Sequence, residues 1–475
     1  MATSSLPFRS SGAARGLNLL LVALALYGSG CSHYPVNSSM AEVDPDRGYR
    51  FTTISEESRS ESLLLLLAFS GGGARAAALS YGVLEELSKT KVLWEGREKR
   101  LLDEVDWISA VSGGSFTAAY YAVHGEDIFE DFEPLFLHRN IQGTLLRLLF
   151  SPINWVRLAS PHFDRSDLAA EYYDRHLFGH RTFGELLREG HGPFLMINAT
   201  DMELGFRFEF TQEQFDLLCS DLSTVPVARA VAASSSYPGL LTPITLRNHG
   251  GTCGDTEPDW MEAPDAPAIS ARRRSKVMEV RSYLDRKDRQ YIHLLDGGLA
   301  DNLGVRGFLD AVISRDSVWQ TMRAYQLEKL RKVVLIVVNA SVGRDYRIGT
   351  QENAPGFFKV IRSAMRVPIN RYSFEMVELF RDHMEKWSEE IRDLRRAELQ
   401  AGEDQEVSGA NGASVPEVDF HIVEVNFNAV LDDDERRYFN SLPTNFKLPP
   451  GAVNRLREAA GKLLRQSADW KRLLQ

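Results

Sequence analysis

Three short pieces of the chain hold residue types able to do chemistry: Ser70-Gly-Gly-Gly-Ala-Arg75, Ala110-Val-Ser112-Gly-Gly114 and Asp296-Gly-Gly298. Together they offer a cradle for negative charge, a serine nucleophile and a carboxylate base, which is the equipment of acyl transfer. Ser112 stands between a stretch that reads as a strand, Val105 to Val111, and a helical pattern that runs to His124. A serine pinned at a strand-to-helix turn has its hydroxyl pushed out at the end of the strand, and small neighbours are needed where strand and helix approach closely. The usual form is Gly-x-Ser-x-Gly; here the first small position is Ala110, which makes strain at the elbow a question. The plainer alternative is a serine that caps the helix.

The glycine loop has the same build. Leu63 to Phe69 is a continuous apolar run, the pattern of a strand buried on both faces, and a helical pattern follows from Ala74 to Leu87. Gly71, Gly72 and Gly73 let consecutive backbone N–H groups point into one concavity, and the helix start adds positive potential. Neither the P-loop spacing nor the dinucleotide spacing is present. On the loop alone an oxyanion site, a phosphate site and a tight turn all stay open. Asp296 ends a third apolar run, Tyr291 to Leu295, at the place where α/β proteins put ligands. Asp301, five residues on, reads as a turn residue.

These residues resemble those of patatin-like phospholipases. Gly71 to Arg75 is similar to the family's glycine-rich oxyanion block, Ala110 to Gly114 to its serine elbow, and Asp296 to Gly298 to its Asp-Gly-Gly/Ala block. A fourth stretch, Ala228 to Pro243 with Tyr237-Pro-Gly239, is similar to its Pro-Gly segment. The four blocks fall in the family's order between Leu63 and Gly304. The resemblance implies an α/β fold, a mostly parallel sheet flanked by helices. It also implies a Ser112–Asp296 dyad in place of a triad, with Gly71, Gly72 and Gly73 as oxyanion donors. The implied reaction is hydrolysis of a phospholipid or other acyl ester through an acyl-enzyme. Arg75 is a candidate to hold the loop or bind a lipid phosphate, and equally a solvated helix-surface arginine. No Cys/His cluster has zinc spacing and no acidic loop has calcium spacing, so no metal and no cofactor is expected.

Two of the eleven histidines are positioned in sequence to intrude on a dyad. His249 lies in the polar loop Asn248 to Cys253, and His293 lies in the strand before Asp296, where side-chain alternation puts it on the opposite sheet face. A general esterase or serine peptidase with His249 as base, and a non-catalytic lipid-binding envelope protein, stand as the rival readings.

The amino terminus bears on location. Arg9 and Arg15 precede an apolar core, Leu17 to Leu26, too short to span a bilayer. Gly28-Ser-Gly30 then precedes Cys31, so residues 1–30 read as an export signal. Cys31 resembles a bacterial lipoprotein cleavage site and would become the lipidated first residue, although Gly28 replaces the usual leucine. The expectation is an exported lipoprotein of the cell envelope, facing the periplasm and anchored to a membrane surface. Cys219 and Cys253 remain; in that oxidising compartment they could pair or stay free, and sequence gives no geometry to decide.

Hydrophobic residues make up 44% of 475 positions, enough for a large core. Net charge is −10, and −12 once residues 1–30 are set aside, which opposes broad attraction to nucleic acid or anionic lipid. Any membrane contact must therefore be local. Residues 31–62 read as a polar tether and 63–345 as the catalytic domain, with an insertion at about 250–290. Residues 346–475 read as a helical elaboration with an added strand, broken near Pro368. Between Asn140 and Leu158 the chain is rich in Leu, Ile, Phe and Trp: an interfacial element, or helices packed on the core.

Overall fold

The structure is a computed structural model and describes residues 32–54, 59–189, 192–254, 257–261, 270–343, 349–350, 352–401 and 417–474. The signal 1–30 and Cys31 lie outside the described residues. The strands in chain order are β1 (Leu63–Phe69), β2 (Lys91–Trp94), β3 (Arg97–Arg100), β4 (Val105–Val111), β5 (Phe194–Asp201), β6 (Arg207–Glu209), β7 (Ile244–Arg247), β8 (Tyr291–Asp296), β9 (Lys332–Asn339) and β10 (Asp419–Asn426). The helices that matter below are α1 (Ala74–Lys89), α2 (Gly113–His124), α3 (Val227–Ser234), α4 (Phe357–Ala401) and α5 (Pro450–Gln466).

One sheet runs in the order β10-β9-β1-β4-β5-β8-β7, with β6 added on β5 and β2–β3 forming a separate hairpin. The first five strands of that order are mutually parallel; β8 is antiparallel to β5, and β7 to β8. This is the expected mostly parallel sheet between helices. A strand paired on both edges and covered on both faces must be apolar throughout, which is why β1 reads as an unbroken run. Its odd positions, Leu63, Leu65, Leu67 and Phe69, share one core with α1, α2, α3 and α5. Leu64, Leu66 and Ala68 face the other core, closed by α4 through Met376, Val377, Phe380, Trp387 and Ile391.

Two expectations are corrected. Residues 32–54 are strapped to the domain rather than hanging as a tether. Arg50 pairs with Asp216 at 2.5 Å, both side chains being buried, and Tyr49 stacks on Phe194 while its hydroxyl accepts from Leu195 N–H at 2.8 Å. Pro368 does not break the carboxyl-terminal helix. It lies inside α4, where one missing hydrogen bond is outweighed by cooperative turns on either side. Between β7 and β8 the chain forms the helix Ala271–Leu284.

Candidate active site

The end of β4 and the start of α2 leave one residue, Ser112, to make the turn, at φ 47° and ψ −116°. For a residue with a Cβ this backbone is strained, by about 1–3 kcal/mol, and the surroundings must hold it. They do so through Ser234 at the end of α3. Ser112 N–H donates to Ser234 Oγ at 2.8 Å, and the Ser234 hydroxyl donates to the Asn198 carbonyl of β5 at 2.6 Å.

The Ser112 hydroxyl donates to Asp296 Oδ2 at 2.8 Å. Asp296 Oδ1 accepts from Gly298 N–H at 2.8 Å, and its backbone is fixed on both sides, by Ser236 O at 3.1 Å and Thr200 Oγ1 at 2.8 Å. The aspartate is 5% exposed. Burial pushes its carboxyl up to about 6, against the hydrogen bonds from Gly298 and Ser112 that hold it down. Residues 184 positions apart meet because β5 lies between their strands: Val111 pairs with Asn198 on one side, and Asp296 pairs with Ala199 on the other. Asp296 thus reaches the carboxyl edge of the sheet on a strand that runs antiparallel to its neighbour β5.

The glycine loop sits beside the serine. Gly72 and Gly73 have φ of 148° and 64°, open to glycine at little cost. Among the described residues their N–H groups donate to no protein acceptor. Gly71 is different: its N–H donates to the Asn302 carbonyl at 2.9 Å. The expectation of three free donors therefore narrows to Gly72 and Gly73, because the first amide is spent in tying the loop to the segment after Asp296. The amino end of α2, beginning at Gly113, adds partial positive charge at the same point.

Arg75 binds no exterior group. It is 2% exposed; Nε donates to Ala340 O at 2.9 Å, Nη1 to Leu442 O at 2.8 Å and Nη2 to Thr444 Oγ1 at 3.1 Å. Burial pulls its pKa down to about 10, so it stays charged at neutral pH. The side chain stitches the first turn of α1 to the end of β9 and to the carboxyl-terminal region, which excludes a lipid phosphate from its guanidinium. The floor of the loop also comes from that region: Ala74 N–H donates to Asn445 O at 2.8 Å.

Neither histidine stands between serine and aspartate. His249 Nε2 contacts Asn37 O at 3.2 Å, beside the strapped amino-terminal segment, and burial pushes its pKa down. His293 is exposed and meets Thr245 Oγ1 at 3.0 Å across the β7–β8 pair. Asp301 accepts from the N–H groups of Leu303, Gly304 and Arg306, as a turn residue does. Cys219 and Cys253 form a disulfide next to the His249 loop. Sequence reasoning missed Ser234, Asn302 and Asn445. Ser234 lies inside the Pro-Gly block and Asn302 four residues past the Asp-Gly-Gly block; Asn445 had no signal.

Fold and site together define an α/β protein with a serine at a strained strand-to-helix elbow, bonded directly to a buried carboxylate. The patatin-like phospholipase family matches residues 67–309, and the chain belongs to that family. No curated protein matches it in sequence. Among solved structures it is similar to human GIVD cytosolic phospholipase A2, with TM-score 0.42, 13% identity, and coverage of 89% of this chain and 64% of that one. VipD from Legionella pneumophila gives TM-score 0.30 and 12% identity, over 93% of this chain and 70% of that one. The chain therefore spans less than two thirds of the length of the human protein.

Proposed function

We propose that this protein is a lipid acyl hydrolase that cleaves ester bonds of glycerophospholipids through a Ser112–Asp296 dyad and an acyl-enzyme. The observation that carries the reading is the 2.8 Å hydrogen bond from Ser112 Oγ to Asp296 Oδ2 beside the amides of Gly72 and Gly73, which meet no protein acceptor among the described residues. Asp296 takes the hydroxyl proton as Ser112 Oγ bonds to the ester carbonyl carbon, and the carbonyl oxygen becomes an oxyanion facing the glycine amides. The tetrahedral species collapses with loss of the alcohol, which receives the proton back from Asp296. Water then attacks the acyl-serine with Asp296 again as base, releasing the fatty acid and restoring the serine. Each well-aimed oxyanion donor contributes on the order of 10² to 10³ in rate. A carboxyl near 6 is ionised at neutral pH and still basic enough for the work.

The same proposal places the protein outside the cytoplasm, anchored at a bacterial envelope membrane through Cys31 and facing the periplasm. The leader pattern of residues 1–30 supports this, and so does the Cys219–Cys253 disulfide, since such bonds persist in oxidising compartments.

The test is fatty-acid release from mixed envelope phospholipids by the wild-type protein, Ser112→Ala and Asp296→Asn, alongside labelling by a fluorophosphonate probe. Release and labelling lost in Ser112→Ala, and release lost in Asp296→Asn, are the expected results. Undiminished release by both variants, or a wild-type serine that takes no label, overturns the assignment.

A further inference from the structure

Two stretches of the chain present exposed apolar side chains and contain no Asp or Glu of their own, in a chain whose net charge is −10. The first is the elbow between the helices Ile141–Leu149 and Pro152–Leu158, where Phe150 is 67% and Ile153 78% exposed, with Trp155 beside them. Residues 141–158 hold two arginines and no Asp or Glu. The second is the amino-terminal part of α4, where Val360 and Val367 are exposed. Residues 357–374 hold four basic residues and no acid.

Both parts start from the edge of the sheet that holds Ser112. Phe136 stacks on Phe116, in the first turn of α2, at 4.6 Å, which returns the chain to that edge just before Ile141. Leu145 and Leu149 then line a small groove shared with Leu240 and Leu241, four and five residues past Ser236, whose carbonyl holds Asp296. On the other side, α4 lies along the sheet from Arg395, bonded to Leu330 O before β9, to Asn370, bonded to Val342 O after it. The 13 residues from Phe357 to Ile369 overhang that edge by ~20 Å at 1.5 Å per residue.

The elbow is built to leave water. Peptide groups in a bilayer must be satisfied internally. Here Asn154 Nδ2 donates to Leu148 O at 2.9 Å, Trp155 Nε1 donates to Leu149 O at 3.0 Å, and Phe150 N–H donates to Leu146 O at 3.1 Å. The carbonyls orphaned at the end of the first helix are thus capped by side chains of the second, and Phe150 and Ile153 are presented on a fixed turn. A tryptophan at such a tip with Arg147 behind it suits the boundary between acyl chains and headgroups, while Arg157 is paired with Glu171. The amino-terminal segment is tied beside the same elbow: Ser32 O accepts from Ser160 Oγ at 2.6 Å, two residues beyond the second helix. Among the described residues no helix is long and apolar enough to cross a membrane.

We propose that this edge docks on an anionic phospholipid bilayer, inserting the Phe150–Trp155 elbow and the overhanging turns of α4 on either side of Ser112. The inference rests on the lipid hydrolase reading for its purpose, but its test does not pass through catalysis.

The full chain is mixed with phosphatidylglycerol/phosphatidylethanolamine vesicles containing lipids brominated high on the acyl chain. Tryptophan quenching is compared with that of Trp155→Phe, which removes one of seven tryptophans. Quenching that disappears in Trp155→Phe and persists in Ser112→Ala is expected. Partition of Phe150→Asp/Ile153→Asp and of Val360→Asp/Val367→Asp should fall by about tenfold or more, with unaltered circular dichroism. Equal quenching in wild type and Trp155→Phe, or unchanged partition of both double variants, overturns the proposal. So does a concentration-dependent dimer abolished by the same substitutions, which would assign the surface to a second copy. Loss of ester hydrolysis in Ser112→Ala with insertion intact separates the catalytic reading from this one.

Discussion

Gly113 lies so close to Gly73 that a Cβ on Gly113 would stand 2.1 Å from the Gly73 carbonyl oxygen and 2.5 Å from its nitrogen. The serine elbow and the oxyanion loop are thus one packed unit, and no side chain fits between them. Gly113→Ala must push the loop away from Ser112. A displacement of about 1 Å at a catalytic centre costs on the order of 10² in rate. The expected outcome is a fall of that size or larger in kcat/KM on a soluble ester, with a smaller change in the thermal melt. Wild-type kinetics would show that the loop's position does not matter.

The Asp296 carboxyl, raised to about 6 by burial, sets the pH dependence. Only the ionised form accepts the serine proton, so kcat/KM should rise with pH through an apparent pKa near 6 and level off above 7. A flat profile between pH 5 and 8 would remove Asp296 from the role of base.

The same shift sets a stability cost. The folded carboxyl titrates near 6 and the unfolded one near 3.8. Below 3.8 both states are protonated and the group costs nothing; between 3.8 and 6 only the unfolded chain ionises and stability falls; above 6 the penalty is complete. Asp296→Asn should therefore stabilise the protein at pH 8 by about 1–3 kcal/mol, and the gain should vanish below pH 4. Chemical denaturation at the two pH values measures it.

Arg75 is a fastener, not a headgroup receptor. Arg75→Met leaves the carbonyls of Ala340 and Leu442 without their donor inside the fold, which should cost about 2–4 kcal/mol. Its activity should fall in step with its melting temperature. The ratio of KM values for anionic and zwitterionic substrates should stay at the wild-type value; a selective rise for the anionic one would restore a binding role.

The disulfide closes a loop of 34 residues between the end of the Gln212–Leu217 helix and the segment after β7. Loop-closure entropy puts its contribution at ~3–4 kcal/mol. Cys219→Ala/Cys253→Ala should melt several degrees lower than the wild type, and a reductant should lower the wild-type melt while leaving the variant's unmoved.

The chemistry was legible in sequence because its parts are local. A glycine run after a buried strand, a serine flanked by small residues and an aspartate ahead of two glycines each declare a turn at a strand end, and the stretches that precede them find β1, β4 and β8. Sequence also placed the apolar elbow near Phe150, while leaving its exposure open. What sequence could not settle were relations between distant segments. Packing decided that Asp296 would arrive on an antiparallel strand, and that Gly71 would spend its amide on Asn302. It also decided that Arg75 would turn inward to Ala340 and Leu442, and that residues 32–54 would be strapped down by Arg50 and Tyr49. Local pattern fixes which groups a strand end presents, because backbone sterics act over a few residues. Which of those groups stay free to react depends on what the rest of the chain brings within hydrogen-bonding distance, and that is determined only when the sheet has assembled.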